Sequence, residues 1–162
     1  MRIYILRHGI AEEGAPGQPD SERRLTDRGK EKLRKILSRA REAGVAPEVI
    51  LTSPYVRSKE TAVMAKEELG FEDELAETNS LTPASSASRL WDEIRTDYGG
   101  ASRVMLAGHN PLLSDFACFL TGAPVDAIVL KKGALALVEI ENLGPSPSGT
   151  LLWLMTAKTA GS

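Results

Sequence analysis

Residues 3–9 read Ile3-Tyr4-Ile5-Leu6-Arg7-His8-Gly9. A short apolar strand here runs straight into a cation, an imidazole and a glycine. Parallel strands of α/β domains place their ligands just beyond their carboxyl ends, and a glycine there lets the backbone turn sharply or approach a ligand closely. The tripeptide therefore reads as one side of a phosphate site. Taken alone, Arg7 is better read as a surface ion-pair residue and His8 as a satisfied polar residue at a strand end. The rest of the chain has to decide between these readings.

Working outward, residues 10–24 hold Gly14, Pro16, Gly17 and Pro19 and read as a long loop, a length that in compact domains often serves function. The spacing of Leu33, Ile36, Leu37 and Ala40 predicts a helix over 27–43, with Thr26 as its N-cap and Gly44 as its stop. The charges on its other face read as solvated surface. A short strand over 48–51 then ends at Thr52-Ser53-Pro54. A second helix over 55–69 follows, with Val56, Ala62, Val63, Ala65 and Leu69 facing inward and Gly70 closing it. A third strand over 75–78 enters the loop 79–85. A helix over 87–98 buries Leu90, Trp91 and Ile94. Residues 103–107 carry Val104, Met105 and Leu106 in succession, as a strand covered on both faces should. That strand stops at Gly108-His109-Asn110-Pro111, and Pro111 opens a helix that runs to Gly122. The tail reads as hairpin strands over 127–130, 134–140 and 151–155 at a sheet edge, with Lys131 and Lys132 protecting that edge and Trp153 packing.

With 162 residues, 42% of them hydrophobic, the chain has the size of a single domain over 1–162. Its formal net charge of −2 gives no global footprint for nucleic acid or an anionic membrane, so anion binding has to be local. The single cysteine, Cys118, excludes an intrachain disulfide framework and fits a reducing compartment. No apolar run approaches the roughly 18 residues of a membrane span, and the N-terminal run is too short for a signal peptide. A cytoplasmic protein is expected. Two histidines, with no HExxH and no cysteine cluster, leave no zinc site to expect, and no cofactor is expected.

Each of three strand ends carries part of a small polar set: Arg7 with His8, then Ser53 and Arg57, then His109 with Asn110. Two arginines can hold the equatorial oxygens of a phosphoryl group through charge-assisted bonds. A neutral imidazole can attack phosphorus in line and carry the group covalently. A second histidine, if protonated, adds positive charge where it builds in the transition state. Arg57 falls in the first turn of its helix, where the dipole disfavours a cation, so an anion shared with the helix's free amides is one reading. An exposed arginine paired with Glu60 or Glu12 is the other. Cys118 lacks the following arginine of a cysteine phosphatase loop, and no Walker glycine-lysine loop occurs.

The run Leu6-Arg7-His8-Gly9 resembles the Arg-His-Gly signature of the histidine phosphatase superfamily, the phosphoglycerate-mutase-like fold. In order along the chain come Arg23-Arg24-Leu25-Thr26 with Gly29, Ser53-Pro54-Tyr55-Val56-Arg57 with Glu60-Thr61-Ala62, Leu81-Thr82-Pro83, and Gly108-His109-Asn110-Pro111. These are similar to further motifs of that superfamily, and the short length and loop sequences most resemble its SixA-type phosphohistidine phosphatases. The resemblance implies a three-layer α/β/α sandwich whose mostly parallel central sheet carries antiparallel edge strands near the C-terminus. It implies His8 as the phosphorylated nucleophile, Arg7 and Arg57 as the phosphoryl clamp, and His109 completing the pocket. A phosphate or sulfate ion is the expected occupant, and the expected partner is a phosphorylated protein, a phosphotransfer domain or phosphocarrier.

Two departures from the family bear on mechanism. Acid-using relatives carry a carboxylate in the loop after the third strand, whereas this loop reads Asn79-Ser80-Leu81-Thr82-Pro83. Glu77, Glu12 and Asp20 are the candidates for an acid from elsewhere. Arg24 stands where short relatives often carry proline. An alkoxide leaves poorly without a general acid, while imidazole is a far better leaving group, so a loop of hydroxyls favours a P–N substrate. The alternative is a phosphatase for a small phosphomonoester. A catalytically idle phosphate-reading module is a third reading, against which the intact set of Arg7, His8, Arg57 and His109 argues.

Overall fold

Ile3 and Ile5 point to one side of their strand and Tyr4 and Leu6 to the other, and all four are buried. That alternation requires a helical layer on each face, and the computed structural model, which describes residues 1–160, has both. The strands are β1 (Arg2–Arg7), β2 (Val49–Thr52), β3 (Ala76–Glu77), β4 (Arg103–Gly108), β5 (Leu135–Asn142) and β6 (Ser148–Met155). The helices are α1 (Asp27–Glu42), α2 (Val56–Leu69), α3 (Ala87–Asp97), α4 (Leu112–Thr121) and α5 (Ala157–Ala160). The sheet order is β3-β2-β4-β1-β5-β6. The first four strands run parallel, while β5 pairs antiparallel with β1 and β6 antiparallel with β5. This is the three-layer sandwich with antiparallel strands toward the C-terminus that the sequence predicts.

Leu33, Ile36 and Leu37 of α1 and Ala62 and Ala65 of α2 cover the face that presents Tyr4, Leu6, Ile50, Met105 and Ala107. Leu90, Trp91 and Ile94 of α3 and Leu113, Phe116 and Leu120 of α4 cover Ile3, Ile5, Leu51, Val104 and Leu106. Thr26 caps α1, its Oγ1 accepting from the amide of Gly29 at 2.9 Å. The consequence for the site is geometric. β4 lies between β1 and β2, so the carboxyl ends of these three parallel strands emerge side by side.

The structure departs from the sequence expectation in four places. Residues 127–130 form no strand; the chain turns there, Ala134 N–H donating to the Lys131 carbonyl, before pairing begins at Leu135. Lys131 and Lys132 therefore sit in that turn and not on an edge, since β5 is flanked on both sides and the edges are β3 and β6. The third strand keeps only Ala76–Glu77. In α2, Val63 is 43% exposed and Val56 half-buried, while Arg57, Ser58 and Thr61 are buried in their place. Polar groups occupy that helix face because it closes the site. Among the described residues no helix is long and apolar enough to cross a membrane.

Candidate active site

His8 leaves the end of β1 with its backbone pinned twice: its N–H donates to the Gly108 carbonyl at 2.9 Å, and its carbonyl accepts from Gly133 N–H at 3.0 Å. The ring is fixed as well. Nδ1 lies 2.7 Å from the Gly9 carbonyl oxygen. A carbonyl only accepts, so the proton is on Nδ1 and Nε2 carries the lone pair. Arg57 Nε approaches that lone pair as a donor at 3.4 Å. Only 7% of His8 is exposed, and burial, with Arg57 and Arg7 adding repulsion, lowers its pKa to about 4. It is a neutral imidazole at pH 7.

Gly9 and Gly29 let the loop lie against α1. A Cβ on Gly9 would meet Leu33 Cδ1 at 2.8 Å, and one on Gly29 would overlap the Ile10 carbonyl. Gly9 N–H donates to Thr61 Oγ1 at 3.3 Å, and that hydroxyl donates to the Arg57 carbonyl at 2.7 Å. Thr61 thus ties the turn after β1 to the helix that carries Arg57.

His109, at the end of β4, has its ring centroid 5.1 Å from that of His8. Its Nε2 lies 2.8 Å from Ser53 Oγ and 3.2 Å from Ser58 Oγ, while its buried Nδ1 has no partner among the described residues. Burial, followed by repulsion from His8 and Arg57, lowers its pKa to about 3. The sequence reading leaves the charge of His109 open, and in the protein without ligand the ring is neutral. A buried ring between two hydroxyls and beside a guanidinium keeps the neutral form. Tyr55 packs its ring edge-on against His109 at 4.9 Å and lies under the Arg57 guanidinium at 5.1 Å.

Arg7 donates from Nη1 to the Leu130 carbonyl at 2.9 Å, and its buried Nε has no partner among the described residues. The same carbonyl accepts from Asn110 Nδ2 at 2.9 Å. Ser114 Oγ takes the Leu130 N–H at 3.0 Å and donates to Asn110 Oδ1 at 2.8 Å. The Leu130 peptide is thereby clamped on both sides and positions Arg7. Arg57 is 5% exposed. Its partner is Asp20, not Glu60 or Glu12 as one sequence reading had it. Nη1 donates to the Asp20 carbonyl at 2.8 Å and Nη2 to Oδ2 at 3.0 Å. Glu60 is engaged elsewhere, its Oε1 accepting from Leu25 N–H at 3.0 Å.

Arg7, His8, Arg57 and His109 are therefore brought together from three strand ends. Of the three acid candidates Asp20 touches this set, whereas Glu77 pairs outward with Lys59 at 2.7 Å and Glu12 is exposed. Sequence reasoning assigned no role to Thr61, Ser58, Ser114 or Leu130. In the sequence, Thr61 stands out only as part of the Glu60-Thr61-Ala62 motif. Lys132 is close enough to His8 to disfavour its protonation, which no strand-edge reading would suggest.

Residues 3–82 match the model of the histidine phosphatase superfamily, branch 1. The chain belongs to the histidine phosphatase superfamily. An uncharacterised protein of a Picosynechococcus species is 32% identical over 118 residues, which are 72% of this chain and 71% of that protein. The protein histidine phosphatase SixA, solved in complex with tungstate, has the same fold, with a TM-score of 0.87 at 24% identity over 98% of both chains. The alpha-ribazole phosphatase of Shigella flexneri follows at a TM-score of 0.76 and 16% identity over 97% of both. The same fold thus occurs in a protein histidine phosphatase and in an alpha-ribazole phosphatase.

The two depressed imidazoles have a measurable consequence. In the unfolded chain each titrates near pH 6.5, and in the folded protein near 4 and 3. Between those values the unfolded state holds protons that the folded state lacks, so stability is complete above pH 6.5 and falls as pH drops below it. The slope is about 1.4 kcal/mol per pH unit for each histidine. Asp20, whose carboxyl Arg23 and then Arg57 hold below its ordinary value, adds a further loss at the acid end in the same direction. Urea melts at pH 7 and 5 should show this drop, with a shallower drop in His8→Ala. Equal stability at the two pH values would contradict the buried, neutral assignment.

Proposed function

We propose that the protein is a phosphohistidine phosphatase acting on a phosphorylated protein through a covalent intermediate on His8. In the first step His8 Nε2 attacks phosphorus in line, the P–Nε2 bond forming as the substrate's P–N bond breaks. A phosphohistidine protonated on its other ring nitrogen expels a neutral imidazole, so no proton has to reach the scissile bond. Water then attacks the phosphoryl group on His8, the P–Nε2 bond breaks and returns its electron pair to Nε2, and inorganic phosphate leaves with the protons of the water while Nδ1 keeps its own. Arg7 and Arg57 hold the equatorial oxygens, and the unpartnered Nδ1 of His109 and Nε of Arg7 are the buried groups that a phosphoryl oxygen would engage. A negative phosphoryl group would raise the pKa of His109, favouring its protonated form as charge builds.

The observation that carries the P–N reading is the state of the carboxylates. Among the described residues, Asp20 is the one hydrogen-bonded to the catalytic set, and it sits between Arg23 at 2.9 Å and Arg57 at 3.0 Å. A carboxylate between two guanidiniums has lost the proton that an alkoxide leaving group would need. The free, buried thiol of Cys118 fits a reducing compartment, and we place the protein in the cytoplasm.

The test is phosphate release from a phosphohistidine-bearing phosphotransfer domain or phosphocarrier, run beside a panel of sugar and nucleotide monoesters with EDTA present. Release from the phosphoprotein at least tenfold faster than from any monoester is expected, undiminished by the chelator. Faster release from the monoesters would overturn the substrate assignment, and loss of activity with EDTA would overturn metal independence.

A further inference from the structure

A guanidinium has two edges that can each make a pair of bonds: a side-on edge of Nε and Nη2, and an end-on edge of Nη1 and Nη2. In Arg57 both ends of the end-on edge go to one residue, the Asp20 carbonyl taking Nη1 at 2.8 Å and Oδ2 taking Nη2 at 3.0 Å. The side-on edge faces the nucleophile, with Nε 3.4 Å from His8 Nε2. Asp20 is itself held. Its Oδ1 accepts from Arg23 Nη1 at 2.9 Å, and Arg23 Nε donates to the Glu12 carbonyl at 2.7 Å. Glu12 N–H in turn donates to the Arg24 carbonyl at 2.7 Å, and Ala11 bridges to Leu25. The long loop after β1 thus ends on Arg57.

We propose that Asp20 is a positioning residue for the phosphatase reaction: it grips the end-on edge of Arg57 so that the side-on edge meets the phosphoryl group on His8. The proposal rests on the reading of His8 as nucleophile but not on which phosphate compound is the substrate. Arginine has many rotamers, and a buried arginine with a phosphate contact alone would have to be ordered anew in each turnover. The Asp20 grip orders it beforehand. The carboxylate also repels the phosphoryl group, but its side chain is 57% exposed, so water screens that repulsion. The guanidinium it orients is buried and feels the full geometric benefit. The loop that lies over the rim is thereby coupled to the catalytic arginine, and a partner that moved the loop would move Arg57 with it.

Three small substrates of graded leaving group test this: phosphoimidazole, an aryl phosphate and an alkyl phosphate. Asp20→Ala is expected to lower kcat on all three by a similar factor, about 10- to 100-fold. It should also weaken inhibition by tungstate. Asp20→Asn, whose amide oxygen still accepts from Nη2, is expected to restore kcat to within a fewfold of wild type. A loss that grows from phosphoimidazole to the alkyl ester, unrescued by asparagine, would make Asp20 a general acid and overturn the proposal. Unchanged kinetics in Asp20→Ala, or faster turnover, would overturn it as well. Where Asp20→Ala does not fold by thermal melting, the leaving-group comparison in Asp20→Asn decides between the same outcomes. Poor activity of the wild type on phosphohistidine proteins with normal activity on the small esters would count against the substrate assignment and leave the Asp20 comparison intact.

Discussion

His8→Ala releases phosphate at no more than about 10⁻⁴ of the wild-type rate on every substrate, as expected when the nucleophile of a covalent mechanism is removed. It also forms no acid-labile phosphoenzyme. The expectation follows from the ring's fixed tautomer, with Nδ1 held by the Gly9 carbonyl at 2.7 Å and Nε2 presented to Arg57 and the pocket. Neither His109 nor Cys118 is placed to take over the role. His109 presents Nε2 to two serines, and Cys118 belongs to α4, where its side chain faces the Ile128 carbonyl. The fold should survive, because the substitution removes two side-chain hydrogen bonds, to the Gly9 carbonyl and from Arg57 Nε, worth about 1 kcal/mol net each, and leaves the backbone bonds of residue 8 to Gly108 and Gly133 in place. Quench-flow with a radiolabelled phosphoprotein, alongside circular dichroism, checks both halves. A variant that keeps one percent of the activity, or that still labels, would remove His8 from the nucleophile role.

The electrostatics of the pocket fit this division of labour. Arg7 and Arg57 supply permanent charge, while both imidazoles are held neutral by burial and by those same arginines. In the proposed mechanism a neutral His8 is available to attack, and the arginines that add to the effect of burial on it are the groups that would receive the phosphoryl oxygens. In that mechanism the incoming anion would offset the repulsion felt by His109, so that the second imidazole would gain a proton when the charge is there to hold it.

Much of this arrangement is legible in the sequence, because strand ends are marked by short-range chemistry. Gly9, Ser53-Pro54 and Gly108 break three apolar runs, and the polar residues beside them converge once the sheet is parallel. The face of α2 was misread because Val56 and Val63 are apolar and Arg57, Ser58 and Thr61 are not. Burial there is set by hydrogen bonds to residues far away in sequence, Gly9 for Thr61 and His109 for Ser58. Periodicity weighs only hydropathy, so a polar face buried by function is invisible to it. Residues 127–130 were misread for a related reason: Ile128, Val129 and Leu130 look like a strand, but the Leu130 peptide spends its hydrogen bonds on Arg7, Asn110 and Ser114. The choice of Asp20 over Glu12 and Glu60 as the partner of Arg57 depends on how fifteen loop residues fold back, which local propensity does not determine.

Arg57→Lys is the second substitution with a large expected effect, and it separates charge from geometry. Lysine keeps the positive charge beside His8 but offers one ammonium in place of a planar fork. The arginine makes three contacts in fixed directions, to His8 Nε2, to the Asp20 carbonyl and to Asp20 Oδ2, and it stacks on Tyr55 at 5.1 Å. A single ammonium reaching Asp20 would leave the phosphoryl group, and one reaching the phosphoryl group would leave the carbonyl and carboxylate of Asp20 unpaired. Loss of a preorganised donor to transition-state charge costs about 3–4 kcal/mol, a 10²- to 10³-fold fall in kcat. KM should rise far less, because the residual charge still attracts the anion. Steady-state kinetics on the aryl phosphate and on the phosphoprotein should show the same loss, since the defect lies in the phosphoryl clamp and not in recognition of the rest of the substrate. A variant within fivefold of wild-type kcat would show that charge alone suffices at position 57 and that the two-edged geometry of the guanidinium is dispensable.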